Sequence, residues 1–276
     1  QALTNRDINS VSWFVSAPYS GGYHTGRLHI NGATPEVDAF RWQAWQALRA
    51  AEWDGWKLES STRMPIGKDG MMWEISITNT KSEARELNLE LDMIGFNSAY
   101  GGEWQWWYPY PKMDGKTTNR DEEVENVRTY FNADFNSIKT TATELVNGKP
   151  QQKNVTLSWP TDQDILEAQK YEAAVDDGTV LIRDKETSAK TAFKIKDTGW
   201  SYTGFNSGAT AKKSTQVKAG ETYVLRYVML VNGDETVLRQ DVRELSNNFS
   251  SEFQRIEDEW KSRWQQIFKP DNGLIS

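Results

Sequence analysis

The residues best suited to chemistry in this sequence are aromatic rings set beside carboxylates and amides. In Gly101–Lys112, Trp104, Trp106, Trp107, Tyr108 and Tyr110 stand between a glycine pair and Pro109 and Pro111, with Glu103 and Gln105 interleaved. Each proline lacks the N–H that a sheet ladder needs, so the stretch predicts a rigid loop rather than a central strand or a helix. Flat rings next to hydrogen-bonding side chains suit the apolar faces and hydroxyl edges of sugars, and they suit equally the sealing of a core or a domain contact. Indoles around Glu103 would shield its carboxyl from water and raise its pKa, the condition for a general acid, but the sequence places no partner carboxylate.

Other reactive groups are few. His24, in the loop Gly21–Arg27, sits among mixed donors that could contact a ligand, whereas His29 between Leu28 and Ile30 reads as an outward strand residue. With two histidines and no cysteine, zinc ligands and the bases of nucleophilic triads are in short supply, and a structural role is expected for both rings. Asp121-Glu122-Glu123 and Asp176-Asp177 are of the type used for calcium or glycosidic cleavage, yet their charged surroundings lack EF-hand spacing and read as solvated faces. No metal and no cofactor is expected. A net charge of −7 argues against a nucleic-acid partner, which needs a basic stripe. No apolar run reaches the roughly 20 residues that span a bilayer, so no membrane partner is expected. The compartment stays open, with a periplasmic or extracellular setting favoured, and a start at Gln1 points to a processed or trimmed product.

The elements that must carry these residues are mostly strands. Val11–Val15 predicts one, ended by turn chemistry from Ala17-Pro18 to Gly22, and Gly26–Asn31 predicts another, closed by Asn31-Gly32. Pro35–Trp56, with Phe40, Trp42, Trp45, Leu48, Trp53 and Trp56, fits a short helix or a twisted strand. Met72–Thr80 and the run from Leu87 to Met93 alternate dry and wet residues and are expected to pair as an antiparallel hairpin. Short β-prone runs follow between Val127 and Ile195, with room for one helix in Gln163–Ala174. Thr222–Val231 is apolar on both faces and belongs inside a sandwich. At Phe249 the period changes: Phe249, Phe253, Ile256, Trp260, Trp264 and Ile267 predict a long amphipathic helix, with Ser251 and Gln254 as a capping box and Pro270 as the stop. Its stripe must be buried on the sandwich or against a domain that follows.

Three stretches carry a family resemblance: Trp56–Arg63, then Trp73–Thr80 with Glu86–Leu91, and finally Ala219–Thr222 with Trp260–Asn272. Together they resemble the N-terminal β-supersandwich, galactose-mutarotase-like, of bacterial glycosidases that carry a helical (α/α) toroid behind it. The resemblance implies a mainly β chain, a large antiparallel sandwich over residues 1–246, and a linker helix with an exit segment over 247–276. It implies that the partners are carbohydrate and a C-terminal helical catalytic domain of the same polypeptide. In that family the catalytic acid and base belong to the toroid, so no catalytic residue carries over to this chain. The chain is then expected to be a non-catalytic support domain of a carbohydrate-active enzyme, with Trp104, Trp106, Trp107, Tyr108, Tyr110, Glu103 and His24 facing sugar or a domain partner. Phe253, Trp260 and Trp264 would lie at the linker-helix interface. A free-standing carbohydrate-binding module and a mutarotase-like epimerase using His24 are the alternatives.

Overall fold

The computed structural model describes residues 2–99, 112–113, 137–146, 149–158 and 166–267. The chain divides into two compact units, Gln1–Gly101 with Ala168–Ser276, and Gly102–Glu167. The strands of the first unit are β1 (Ala2–Thr4), β2 (Val11–Ser16), β3 (Tyr19–Gly21), β4 (Arg27–Ile30), β5 (Ala39–Gln43), β6 (Gln46–Trp53), β7 (Trp56–Arg63), β8 (Gly70–Asn79), β9 (Arg85–Ile94) and β10 (Asn97–Ala99). After the second unit come β14 (Tyr171–Asp176), β15 (Thr179–Asp184), β16 (Lys190–Ile195), β17 (Ser201–Phe205), β18 (Gly208–Val217) and β19 (Thr222–Asn232), then helices α1 (Glu235–Asn247) and α2 (Phe249–Ile267). The described strands of the second unit, β11 (Lys112–Met113), β12 (Ser137–Val146) and β13 (Lys149–Ser158), form an antiparallel sheet in the order β11-β13-β12. Trp104, Trp106, Trp107, Tyr108, Tyr110 and Glu103 lie outside the described residues, as do Asp121-Glu122-Glu123 and Val127–Phe135.

Among the described residues, the first unit is built on an eight-stranded antiparallel sheet in the order β14-β15-β16-β19-β8-β7-β6-β5. Its inner face turns Trp73, Ile75 and Ile77 of β8 and Leu225, Tyr227 and Met229 of β19 toward Leu89, Leu91 and Met93 of β9 and Ala209 and Ala211 of β18. Those last two strands belong to a four-stranded sheet, β17-β18-β9-β4, so the two sheets make a sandwich. A further sheet, β1-β2-β3-β10, adds Val11 and Phe14 to the same core. The outer face of the large sheet is equally apolar. Met72, Leu181, Ala192, Val228 and Leu230 are covered there by Leu238, Val242 and Leu245 of α1 and Phe249, Phe253 and Ile256 of α2. The chain is thus a mainly β sandwich with two C-terminal helices, the fold expected from sequence, and β19 has two dry faces because a sheet covers one and helices the other.

The details differ from expectation in several places. β8 and β9 are not a hairpin: β8 pairs with β7 and β19, whereas β9 pairs with β4 and β18, and the two face each other across the core. Alternation tells which side of a strand is dry, not which sheet holds it, and the two arrangements present the same pattern. The crossing is fixed by Asn79, whose side chain donates to the carbonyls of Glu83 at 2.7 Å and Val217 at 3.0 Å and accepts from Lys81 N at 3.0 Å. Asn31 and Gly32 do form a tight turn, with φ of 48° and 79° and mutual Ile30–Ala33 backbone bonds of 2.7 and 3.0 Å, but the strand before it pairs with β9. Strand β14, Tyr171–Asp176, takes the last four residues of the segment given room for a helix, and the ambiguous Pro35–Trp56 holds β5 and β6. Helix α1 was not expected. Its signals are present: Asp234 caps it by accepting from Thr236 N and Val237 N, and Leu238, Val242 and Leu245 extend the stripe of α2 backward at helical spacing. Because α2 starts directly after α1, the Ser251 and Gln254 box does not form. Ser251 Oγ donates to the Asn248 carbonyl at 2.8 Å, and Gln254 Nε2 donates to Asp258 at 2.9 Å.

A buried polar cluster ties the N-terminal segment to the core. Tyr227 stacks on Trp73 with centroids 4.6 Å apart, and Tyr227 Oη donates to the Gly26 carbonyl at 3.0 Å and accepts from Asn9 Nδ2 at 2.7 Å. Trp73 Nε1 donates to the Asn9 carbonyl at 2.9 Å. Gly26 has φ of 76°, and a Cβ there would stand 2.7 Å from Tyr227 Oη, so the position needs glycine on both counts. Tyr227→Phe removes the hydroxyl that Asn9 and Gly26 share and is expected to cost about 1–3 kcal/mol. Urea unfolding checks this as a lower midpoint at unchanged slope.

Candidate functional site

Helix α2 is held against the sheet by Arg63, the last residue of β7. Its guanidinium lies 4.0 Å above the Phe253 ring, donates to the Phe253 carbonyl, and pairs with Glu257 at 2.9 Å. The same group donates to Gln46 Oε1 at 3.0 and 2.8 Å, which ties the helix to the start of β6. Gln46 Oε1 also accepts from Ser61 Oγ at 2.8 Å, and Gln46 Nε2 donates to Gln43. Lys261 pairs with Glu257 at 2.6 Å and lies 5.6 Å over the Trp45 ring. Beside these contacts lies a cavity lined by three tryptophans from two distant parts of the chain.

That cavity has a volume of about 210 Å³. Trp42, Trp45 and Trp260 form its aromatic walls, and Val11, Met64 and Met71 line it with aliphatic and thioether surface. Trp42 is 66% exposed on edge strand β5. Thr62 Oγ1 and Trp45 Nε1, both on lining residues, are buried with no hydrogen-bond partner among the described residues. Trp260 belongs to the stripe read from sequence. Trp42 and Trp45 were visible only as part of an aromatic-rich segment, and what brings them to Trp260 is the Arg63 brace, which no local pattern announces.

The other sequence candidates stand apart. Phe253 is buried under the large sheet, while Trp264 is 51% exposed further along α2. His24 has a left-handed backbone, φ 42°, its Nδ1 lies 3.2 Å from Asn5 Nδ2, and its ring meets Tyr23 edge-on. Burial, followed by the charge of Arg27, lowers its pKa, so the neutral ring is favoured. Asp176 takes Arg239 at 3.3 Å, and Asp177 occupies a turn with φ 47°. Among the described residues, no group of three or more His, Cys, Asp or Glu side chains is placed to hold a metal ion.

His29 is not merely solvated. On the outward side of β4 its Nε2 lies 2.9 Å from Asp92 Oδ2 and its Nδ1 2.8 Å from Thr34 Oγ1. Asp92 also takes Arg27 at 3.3 Å and Thr210 at 2.9 Å, clamping β4, β9 and β18 together. Burial alone would push the Asp92 carboxyl up. The hydrogen bonds from His29 and Thr210 and the charges of His29 and Arg27 outweigh it and hold the carboxyl below the ordinary 3.8. A carboxylate depressed on folding contributes stability above its ordinary pKa and loses it as pH falls through the folded value. Acidification below pH 3.8 is therefore expected to weaken the wild-type sandwich more than Asp92→Asn, compared by urea unfolding at pH 7 and in that acid range.

Comparison with solved structures finds similarity to one described provisionally as a kojibiose phosphorylase from the human microbiome, at 8% identity and a TM-score of 0.48, covering 90% of this chain and 29% of that one. The chain thus spans about 29% of the length of that structure. It is also similar to a structure from Escherichia coli K12 described provisionally as an aldose 1-epimerase, at 8% identity and TM-score 0.36, covering 82% of this chain and 81% of that one. A galactose mutarotase-like protein from Lactobacillus casei ATCC 334 matches at 8% identity and TM-score 0.34, with 82% and 83% covered. No family model matches the chain, and no curated protein matches it. At such identities and scores the likeness carries no argument about chemistry, and the mainly β sandwich rests on the sheets described above.

Proposed function

We propose that this chain is a non-catalytic sandwich domain of a carbohydrate-active enzyme, which supports a helical catalytic domain of the same polypeptide. The observation that carries this reading is the division of α2. Phe249, Phe253 and Ile256 are spent on the large sheet, whereas Trp264 and Ile267 continue the same stripe with 51% and 57% of their surface exposed. One side of a helix that is first a sandwich cover and then an exposed apolar ridge suits a junction between two folded bodies. His29 is taken up by Asp92 and Thr34 in clamping strands of the small sheet, and neither histidine lines the cavity described above. The test is the intact mass of the native gene product. A mass well above 31.6 kDa with a helix-rich remainder supports the reading, and a mass close to 31.6 kDa contradicts it.

A second reading, a carbohydrate-binding module, is favoured by the cavity of Trp42, Trp45 and Trp260, because indole faces suit the apolar faces of sugar rings. Under the first reading the isolated chain hydrolyses no glycoside. Turnover of a chromogenic glycoside that disappeared on Glu103→Gln would instead make the chain an enzyme in its own right.

A further inference from the structure

We infer that Thr34, His29 and Asp92 form an acyl-acceptor site, at which the Thr34 hydroxyl takes the acyl group of a small activated ester. This asks nothing of a glycosidic bond and holds whether or not a catalytic domain follows. The three side chains are linked in series: Thr34 Oγ1 lies 2.8 Å from His29 Nδ1, and His29 Nε2 lies 2.9 Å from Asp92 Oδ2. A hydroxyl, an imidazole and a carboxylate joined in this order are what a nucleophile, its base and the group that orients the base require.

The direction of these hydrogen bonds follows from Asp92. Burial pushes its carboxyl up, but the bonds from His29 and Thr210 hold it below its ordinary pKa, so at neutral pH it only accepts. His29 Nε2 then carries the proton, Nδ1 keeps the lone pair, and the Thr34 hydroxyl donates to Nδ1. Thr210 of β18 at 2.9 Å and Arg27 of β4 at 3.3 Å fix the carboxylate, so the sheet itself orients the imidazole. Thr34 follows the Asn31-Gly32 turn, and the backbone N–H groups of Gly32 and Thr34 have no hydrogen-bond partner among the described residues. Free N–H groups on the nucleophile and two residues before it are the type of donor that an oxyanion needs. The site lies at the surface: the His29 side chain keeps 24% of its exposure, Thr34 is half-buried and Gly32 is exposed. Attack by Thr34 Oγ1 on the acyl carbon forms a C–O bond while the hydroxyl proton passes to His29 Nδ1. The bond from the acyl carbon to the leaving oxygen then breaks, and the leaving alkoxide or phenolate takes that proton. Thr34 is left as an ester, and nothing else enters the balance.

The test incubates the chain with p-nitrophenyl acetate at neutral pH, quenches in acid and maps the acetyl groups by peptide mass spectrometry. One acetyl group on Thr34 of the wild type is expected, formed ahead of any on lysines, and this readout needs no variant. His29→Gln should slow acetylation of Thr34 about 100-fold. Thr34→Val, which keeps the side-chain shape, should abolish the label, whereas Thr34→Ser should retain it. Nitrogen-15 NMR of the His29 ring should find the proton on Nε2, a preference that Asp92→Asn removes. Urea unfolding of each variant separates loss of the label from loss of the fold. The inference is overturned if Thr34 of the wild type gains no acetyl group, or if His29→Gln acetylates Thr34 as fast as the wild type. It is equally overturned if the His29 proton is found on Nδ1.

Discussion

The structure of the first unit depends on one constraint: its central strands are apolar on both sides, so the large sheet needs two covers. β19 shows this most plainly, with Leu225, Tyr227 and Met229 facing the small sheet and Val228 and Leu230 facing the helices. Burial of a medium or large apolar side chain is worth about 1.5–3 kcal/mol, so neither face can be left in water without a large loss. The four-stranded sheet closes the inner face as in any antiparallel sandwich. The outer face is closed by α1 and the first half of α2, which therefore act as part of the core rather than as an appended linker.

This arrangement explains why the cavity lies where it does. Helix α2 crosses toward the end of the sheet where β6 begins, and Arg63 locks it there through Phe253, Glu257 and Gln46. Beside this corner, Trp42, Trp45 and Trp260 line a cavity that they do not fill. The polar clusters have a different purpose. Asn9, Tyr227 and Gly26 pin the N-terminal segment onto the core, and Asp92 pins three strands of the small sheet, so both sets are saturated by partners within the chain.

Much of the fold was legible in the sequence, because period-two alternation over Met72–Thr80 and period-3.6 spacing from Phe249 to Ile267 are local signals. Layer assignment was not. The alternation of β8 and β9 is compatible with lying side by side or face to face, and only the Asn79 contacts and the pairing of β9 with β18 decide it. Helix α1 was readable from Asp234 and the spacing of Leu238, Val242 and Leu245, although Asn232-Gly233 just before it has the composition of a tight turn between strands. The site was legible only in part. Trp260 followed from its helical stripe, whereas Trp42 and Trp45 joined it through a tertiary brace between residues 17 and 194 positions apart in sequence, and such contacts leave no local pattern.

Native-state hydrogen exchange across β19 and α2 tests the two-cover account most directly. If the helices complete the core, amides of Phe249–Ile256 exchange as slowly as those of Leu225–Leu230, because both open only when the sandwich does. If the amides of Phe249–Ile256 exchange at the rate of a fraying surface helix while β19 stays protected, the helices are an appendage and the account fails.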